Sequence, residues 1–484
     1  MNRPLRRIAL ALMVLFGLLL GNLNYLQAIE SKELNRKPGN SRLLLAQYDR
    51  KRGDIVVGGR PIATSRATQD ELKYLRRYAQ GPLYAHVTGY YSFVFGAAGV
   101  EAAQNSILAG TDDRLFVRRM IDALSGDDPT GGIVSLTLNP RAQKAAADGL
   151  ARLKGAKGAV VAIEPSTGKI LAMVSAPSYD PNVLASHDAE RINAAWKKLE
   201  PDPDRPLLSR AVARTYPPGS TFKLVTAAAA LSSGQYTPQT RVPGPARLPL
   251  PDTRISLPNY DNAPCEGGDT TTIPNALRRS CNTTFAAIGL ALGDAALREQ
   301  AEKFGFGTRL RVPLDVATSV FPADPNKPQT AQSSIGQFDV RATPLEMAMV
   351  AAGIANRGVV MKPYLVDDIL AQDLTSIERT SPEPLSTAVT PEVAAQLNAM
   401  MVEVVDKGTG RNAQINGFRV AGKTGTAQQG NDRPPHAWFV SSAPADDPRV
   451  AVAVVIEDGG GAQEVSGNKL AAPIAKAVME AVIG

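Results

Sequence analysis

The stretch Tyr216-Pro-Pro-Gly-Ser-Thr-Phe-Lys-Leu-Val-Thr-Ala-Ala-Ala-Ala230 changes character at Ser220. Two prolines and a glycine disfavour helix before that serine, whereas residues 224–231 cost little in a helix. Ser220 therefore falls at or near a helix start, with Lys223 one turn on and on the same face. A serine hydroxyl is a weak nucleophile until a neighbouring base removes its proton, and a desolvated lysine near another cation can be that base. Unpaired N–H groups at the helix start also favour a developing negative charge. The same residues equally describe an N-cap serine followed by a solvated lysine, so the rest of the chain must decide.

Working outward on the N-terminal side, residues 159–163 and 170–174 read as strands around the turn Glu164-Pro-Ser-Thr-Gly168, which makes a hairpin. A strand over 133–138 and a helix over 140–153, with proline in its first turn, precede it. A polar, proline-bearing tract over 178–206 separates the hairpin from Ser220. On the C-terminal side, residues 238–272 are rich in loops. Residues 275–292 look helical with an interruption near Ser280-Cys-Asn282, and helical patterns recur over 295–304, 344–356 and 391–405. Residues 419–427, 437–441 and 450–456 then read as strands, and a final helix covers about 469–482. Strands at both ends with helices between predict an α/β protein of the α+β type: one antiparallel sheet with an inserted helical layer.

The 484 residues suffice for two or three domains. Net charge is +7, but the basic residues are scattered and aromatics make up only 5%. No stacking platform or basic stripe argues for nucleic acid. Arg3, Arg6 and Arg7 precede an apolar run over 8–20 that continues in diluted form to Leu26. With no small-x-small cleavage pattern after it, the run reads as an uncleaved signal anchor, its positive flank cytoplasmic and the remainder outside. In an exported chain, the two cysteines, Cys265 and Cys281, permit a disulfide; a buried free thiol at Cys281 is the alternative. The three histidines, His86, His187 and His436, are dispersed, so neither a metal site nor a cofactor is expected. The expected division is a cytoplasmic tip and anchor over 1–26, a non-catalytic docking module over 27–139 and a catalytic domain over 140–484.

Ser-x-x-Lys occurs at Ser166/Lys169, Ser220/Lys223 and Ser466/Lys469. The first lies in a hairpin turn, where residues three apart do not stack, and Gly467 favours a capping role for Ser466 or Asn468 in the last. Only Ser220 joins an enforced helix start to a long apolar helix. Downstream of it come Ser280-x-Asn282 and the single Lys423-Thr-Gly425, the latter on a strand pattern where glycine leaves room for a substrate backbone. In this order, the three elements resemble the active-site pattern of the penicillin-recognising serine enzymes.

The resemblance extends to the hairpin Glu164-Pro-Ser-Thr-Gly-Lys-Ile-Leu-Ala-Met-Val-Ser-Ala-Pro177, to Ser334-Ile-Gly-Gln337, to Thr343-Pro-Leu-Glu-Met347 and to residues 408–428. Arg52-Gly-Asp-Ile55 is similar to a signature of the non-catalytic module of class B penicillin-binding proteins, and the length and early anchor are similar to an actinobacterial type. The resemblance implies the serine β-lactamase-like transpeptidase fold and a D,D-transpeptidase that cross-links peptidoglycan stem peptides, in division or in shape maintenance. It implies Ser220 as the nucleophile acylated by D-alanyl-D-alanine peptides and by β-lactams, with Lys223 as its base. Ser280 relays a proton to the leaving amine, and Lys423 supplies positive potential. Asn282 holds a substrate amide, Thr424, Gly425 and Thr426 form the terminal carboxylate side, and the N–H groups of Ser220 and Thr426 make the oxyanion hole. Implied partners are the cytoplasmic membrane and, through the module, a glycosyltransferase or another division or elongation protein. His436 lines the cleft or sits at a sheet edge. A D,D-carboxypeptidase, a serine β-lactamase lacking its usual Glu-x-x-Leu-Asn, and a penicillin-binding sensor or scaffold are the alternatives.

Overall fold

The computed structural model describes residues 2–25, 48–116, 120, 130–430, 433–461 and 465–484. Residues 26–47, 117–119 and 121–129 of the expected anchor and module lie outside them. In chain order, the helix α1 (Asn2–Tyr25) is followed by strands β1 (Ile55–Val57), β2 (Arg60–Ala67), β3 (Tyr74–Tyr78) and β4 (Ile133–Leu136). Helix α2 (Pro140–Arg152) leads into β5 (Gly158–Ile163) and β6 (Ile170–Ala176). Next come α3 (Lys223–Ser232), α4 (Ile273–Arg279), α5 (Asn282–Leu292) and α6 (Pro344–Ala355). Strands β7 (Val366–Leu370) and β8 (Ser376–Arg379), α7 (Pro391–Asp406), strands β9 (Ala421–Ala427), β10 (His436–Ala443) and β11 (Val450–Ile456), and α8 (Ala472–Ile483) complete the frame.

The larger assembly is a five-stranded sheet in the order β9-β10-β11-β5-β6, antiparallel throughout. Its central strands are continuous apolar runs because both faces are covered, and the two-residue period sends alternate side chains into different cores. Val160, Ala162, Val452 and Val454 pack with Ala146 and Leu150 of α2 and Ile474 and Val478 of α8. Ala159, Val161, Ala453 and Val455 face the other way, towards Leu345 and Ala348 of α6 and the apolar side chains of α3. Helix α3 is buried along almost its whole length. A helix that is apolar on nearly every side belongs inside, and this one packs against α5, α7 and the helix Asp294–Phe304.

The smaller assembly is a six-stranded sheet, β8-β7-β4-β1-β2-β3, in which β1 and β4 are parallel and the other pairs antiparallel. Strands β7 and β8 come from far along the chain, so this sheet interleaves the expected module with the expected catalytic domain. Arg52-Gly-Asp-Ile55 sits at its centre. The Arg52 guanidinium donates to Glu101 at 2.6 Å and to Asn105 at 2.8 Å, and it lies 4.2 Å from the Tyr91 ring centre. Arg76 donates to the other Glu101 oxygen at 2.6 Å. A Cβ on Gly53 would fall 1.8 Å from the Gly132 carbonyl oxygen, which explains the glycine. Ile55 is fully buried in the core.

Two sequence expectations need correction. The polar tract over 178–206 contains a helix, Ala189–Leu199, which the Asp188 side chain caps through the N–H groups of Glu190 and Arg191. It buries only Ile192, and its Trp196 stacks on Phe95 at 4.2 Å, so too little apolar face existed to reveal it. Ser466 starts a short helix without a side-chain cap, and Asn468 instead accepts from the Asn412 N–H at 2.9 Å. Helix α1 contains the 20-residue stretch Arg6–Tyr25, apolar and long enough to cross a membrane, with its side chains exposed.

Candidate active site

Ser220 lies in a short 3-10 segment, Gly219–Phe222, that feeds directly into α3, and not at the N-cap of an α-helix. Gly219 has φ of +54° and donates its N–H to the Gly336 carbonyl at 2.9 Å, a conformation that keeps the preceding prolines outside the helix. Residues three apart eclipse in a 3-10 turn, so Lys223 stacks beneath Ser220. Lys223 is fully buried, yet its amine makes no hydrogen bond to Ser220 among the described residues. It donates to the Ser280 carbonyl at 2.7 Å and to Asn282 Oδ1 at 2.7 Å, with Ser280 Oγ at 3.5 Å.

The interruption between α4 and α5 supplies those acceptors. Ser280 adopts φ of +64°, a left-handed turn that ends α4 and turns its hydroxyl and its carbonyl towards the lysines. Asn282 opens α5. Lys423, on the edge strand β9, donates to Ser280 Oγ at 2.8 Å and to the Thr424 carbonyl at 2.8 Å. Lys223, Ser280, Asn282 and Lys423 thus form one hydrogen-bonded cluster. Burial, and then repulsion from Lys423, push the Lys223 amine well below its ordinary range. Burial pushes Lys423 down to about 7. A neutral amine has two N–H donors and one lone pair. With both donors committed to Ser280 and Asn282, a neutral Lys223 keeps its lone pair as an acceptor.

Thr424 is nearly buried, and its hydroxyl lies 2.7 Å from that of Thr409, a residue with no role in the sequence reading. Its signal was the glycine-flanked Gly408-Thr-Gly410. Thr426 is half-buried next to Ser220: a Cβ on Gly219 would lie 2.9 Å from the Thr426 carbonyl. Gly425 also has a packing reason. Its missing side chain would meet Trp438, Thr221 and Pro218 at 2.9–3.1 Å, so it lets the Ser220 turn lie on the sheet. Gly336 acts likewise, since a Cβ there would fall 2.2 Å from the Gly219 carbonyl oxygen. Cys265 and Cys281 are joined as a disulfide with Cα atoms 5.9 Å apart, which ties the Ser280 turn to the loop before α4. His436 is buried at the start of β10, edge-on to Tyr216 at 5.4 Å, and burial lowers its pKa to about 4. Tyr216 in turn donates to Glu457, which also pairs with Arg210. Of the other Ser-x-x-Lys pairs, Lys169 forms an ion pair with Asp367 at 2.9 Å.

The family model of the penicillin-binding protein transpeptidase domain matches residues 158–480. The chain belongs to the penicillin-binding protein transpeptidase family. A second model, the penicillin-binding protein A dimerisation domain, matches residues 52–134 of this penicillin-binding protein. Peptidoglycan D,D-transpeptidase PbpA of Mycolicibacterium smegmatis is 47% identical, with 100% of this chain and 99% of that protein aligned. The protein of the same name from Mycobacterium tuberculosis is 45% identical over the same shares. Among solved structures, the ceftriaxone acyl-enzyme of M. tuberculosis penicillin-binding protein A superposes with a TM-score of 0.88 at 45% identity, covering 91% of this chain and 100% of that one. Its imipenem acyl-enzyme gives 0.86, again at 45% identity over 91% and 100%.

Proposed function

We propose that this penicillin-binding protein is a peptidoglycan D,D-transpeptidase in which Ser220 is the acylated nucleophile. The observation that carries the assignment of roles is the buried Lys223–Ser280–Lys423 cluster directly beneath the Ser220 turn. Ser220 Oγ attacks the carbonyl of the penultimate D-alanine while its proton passes to Lys223. The N–H groups of Ser220 and Thr426 hold the oxyanion. Collapse breaks the peptide bond: Ser280 hands a proton to the amine of the departing D-alanine and takes in its place the one held by Lys223, while Thr424 and Thr426 bind the departing carboxylate under the charge of Lys423. An amine of a second stem peptide then attacks the ester and loses its proton to the again neutral Lys223, which returns it to Ser220 Oγ as the ester bond breaks. Asn282 positions both Lys223 and the donor peptide. A β-lactam opens its ring amide on the same serine and stays attached. The test is incubation with a thioester stem-peptide donor and an amine acceptor, followed by mass spectrometry. Cross-linked product is expected; hydrolysed donor alone would make the enzyme a D,D-carboxypeptidase.

The rate of penicillin acylation should follow a bell-shaped pH profile. Lys223 must be neutral to accept a proton, so the rate falls as pH drops through its depressed pKa. Lys423 must be charged, so the rate also falls as pH rises past about 7. Removing Lys423 as Lys423→Gln deletes the alkaline limb. It also relieves the repulsion on Lys223, which makes that amine easier to protonate and moves the acid limb to higher pH. Stopped-flow acylation across pH 5 to 10 checks both signs. Gly336→Ala should slow acylation roughly 100-fold, because the new methyl displaces the Ser220 turn by an ångström or so. Labelling kinetics on the folded variant measure this.

Residues 1–26 anchor the chain in the cytoplasmic membrane as a single pass, with the catalytic domain outside. Residues 27–139 form the non-catalytic module and 140–484 the transpeptidase domain, with β7 and β8 crossing over to complete the module's sheet. The module docks a glycosyltransferase or another protein of the division or elongation machinery.

A further inference from the structure

A cavity of about 340 Å³ opens beside the catalytic cluster, between Ser280 and Thr409, with the two disulfide-linked cysteines in its wall. Ser280, which in the mechanism above hands a proton to the departing amine, lines it, and Thr409 in its wall hydrogen-bonds Thr424, which binds the departing carboxylate. The cavity therefore adjoins the side from which D-alanine departs and the acceptor amine arrives. A single departing amino acid would fill little of this space, whereas cavities of this size suit a larger ligand.

The charges around it are lopsided. Arg278 and Arg279, at the C-terminal end of α4, and Lys407, just past α7, line the cavity, and Asp261 is the one acidic lining residue. Asp261 pairs with Arg279 at 3.5 Å. Among the described residues, the Arg278 guanidinium has only the neutral Asn275 amide oxygen at 2.6 Å as a partner, while its backbone carbonyl accepts from the Thr409 N–H. Lys407 carries no carboxylate partner among the described residues. Two cations are thus uncompensated in a concave site, where an anion would be drawn in and held. Tyr260, 85% exposed, stands at the rim.

We propose that this cavity is the acceptor subsite and that it selects a stem peptide carrying free carboxylates besides the residue that supplies the amine. The inference rests on the transpeptidase reading and adds the chemistry of the second substrate. The full chain in detergent, acylated by a thioester donor, would be offered an acidic stem-peptide acceptor and the same peptide with its carboxylates amidated. Wild-type enzyme should use the acidic peptide with a KM roughly tenfold lower. In the Arg278→Gln/Lys407→Gln double variant, that ratio should collapse towards one, and added salt should narrow it in the wild type. Penicillin labelling of the variant shows that it is folded. An equal KM for the two peptides in wild type, or a ratio that persists in the labelled variant, would overturn the proposal. Failure of the wild type to acylate with the donor at all would instead sink the transpeptidase reading beneath it.

Discussion

Replacing Ser220 by alanine is expected to abolish covalent labelling by a fluorescent penicillin while leaving the thermal unfolding of the protein nearly unchanged. Acylation adds the opened antibiotic to a single oxygen, and Ser220 carries the hydroxyl one turn before Lys223 of the Lys223–Ser280–Lys423 cluster. The residual reaction should be slower by about 10⁴-fold or more, since removal of a nucleophile takes away the covalent route itself. The fold should tolerate the change because, among the described residues, the Ser220 side chain makes no hydrogen bond that holds the turn. That turn is fixed instead by Gly219 on Gly336 and by Thr221 on the Pro218 carbonyl at 2.7 Å. Intact-protein mass spectrometry after penicillin treatment gives the answer directly. A mass increase of one antibiotic in Ser220→Ala would move the nucleophile elsewhere.

Glu101→Ala, on the short helix Gly99–Ala103 beside the smaller sheet, should be the most damaging single substitution in that assembly, costing about 3–5 kcal/mol. Its carboxylate is fully buried between the guanidinium groups of Arg52 and Arg76, each at 2.6 Å, and it accepts from the Tyr78 hydroxyl at 3.2 Å. Removing it strands two positive charges in the interior, a heavier penalty than the loss of the attraction alone. Glu101→Gln keeps the volume and an acceptor and should cost less. Burial by itself would raise the Glu101 pKa, but Arg76 and Arg52 outweigh it and hold the group below its ordinary 4.5. The stability it contributes is therefore present above about pH 4.5 and lost as pH falls through the lower folded-state value. Urea unfolding at pH 7 and at pH 4 measures both effects; the variant and wild type should differ less at the lower pH.

Much of this was legible from local patterns. Proline and glycine before Ser220, the break at Ser280-Cys-Asn282 and the apolar strand runs near both ends are consequences of backbone and burial preferences that act within a few residues. What local patterns did not show came mostly from contacts far along the chain. Gly425 reads as space for a substrate, and its packing against Thr221, Pro218 and Trp438 appears only in the fold. The helix Ala189–Leu199 has a single buried residue and announces itself only through the Asp188 cap. Thr409 and Gly336 had no visible reason until Thr424 and Gly219 were beside them.

The sequence by itself determined most of the order of helices and strands, the candidate reactive side chains and the family to which the chain belongs. Each depends on residue type and short-range spacing. Only the tertiary structure decided that Lys223 and Lys423, 200 positions apart, meet on one serine, and that burial, helped at Lys223 by repulsion from Lys423, lowers their affinity for protons. Desolvation belongs to the assembled interior, where sheet, helices and turn together exclude water, and no stretch of sequence carries it alone.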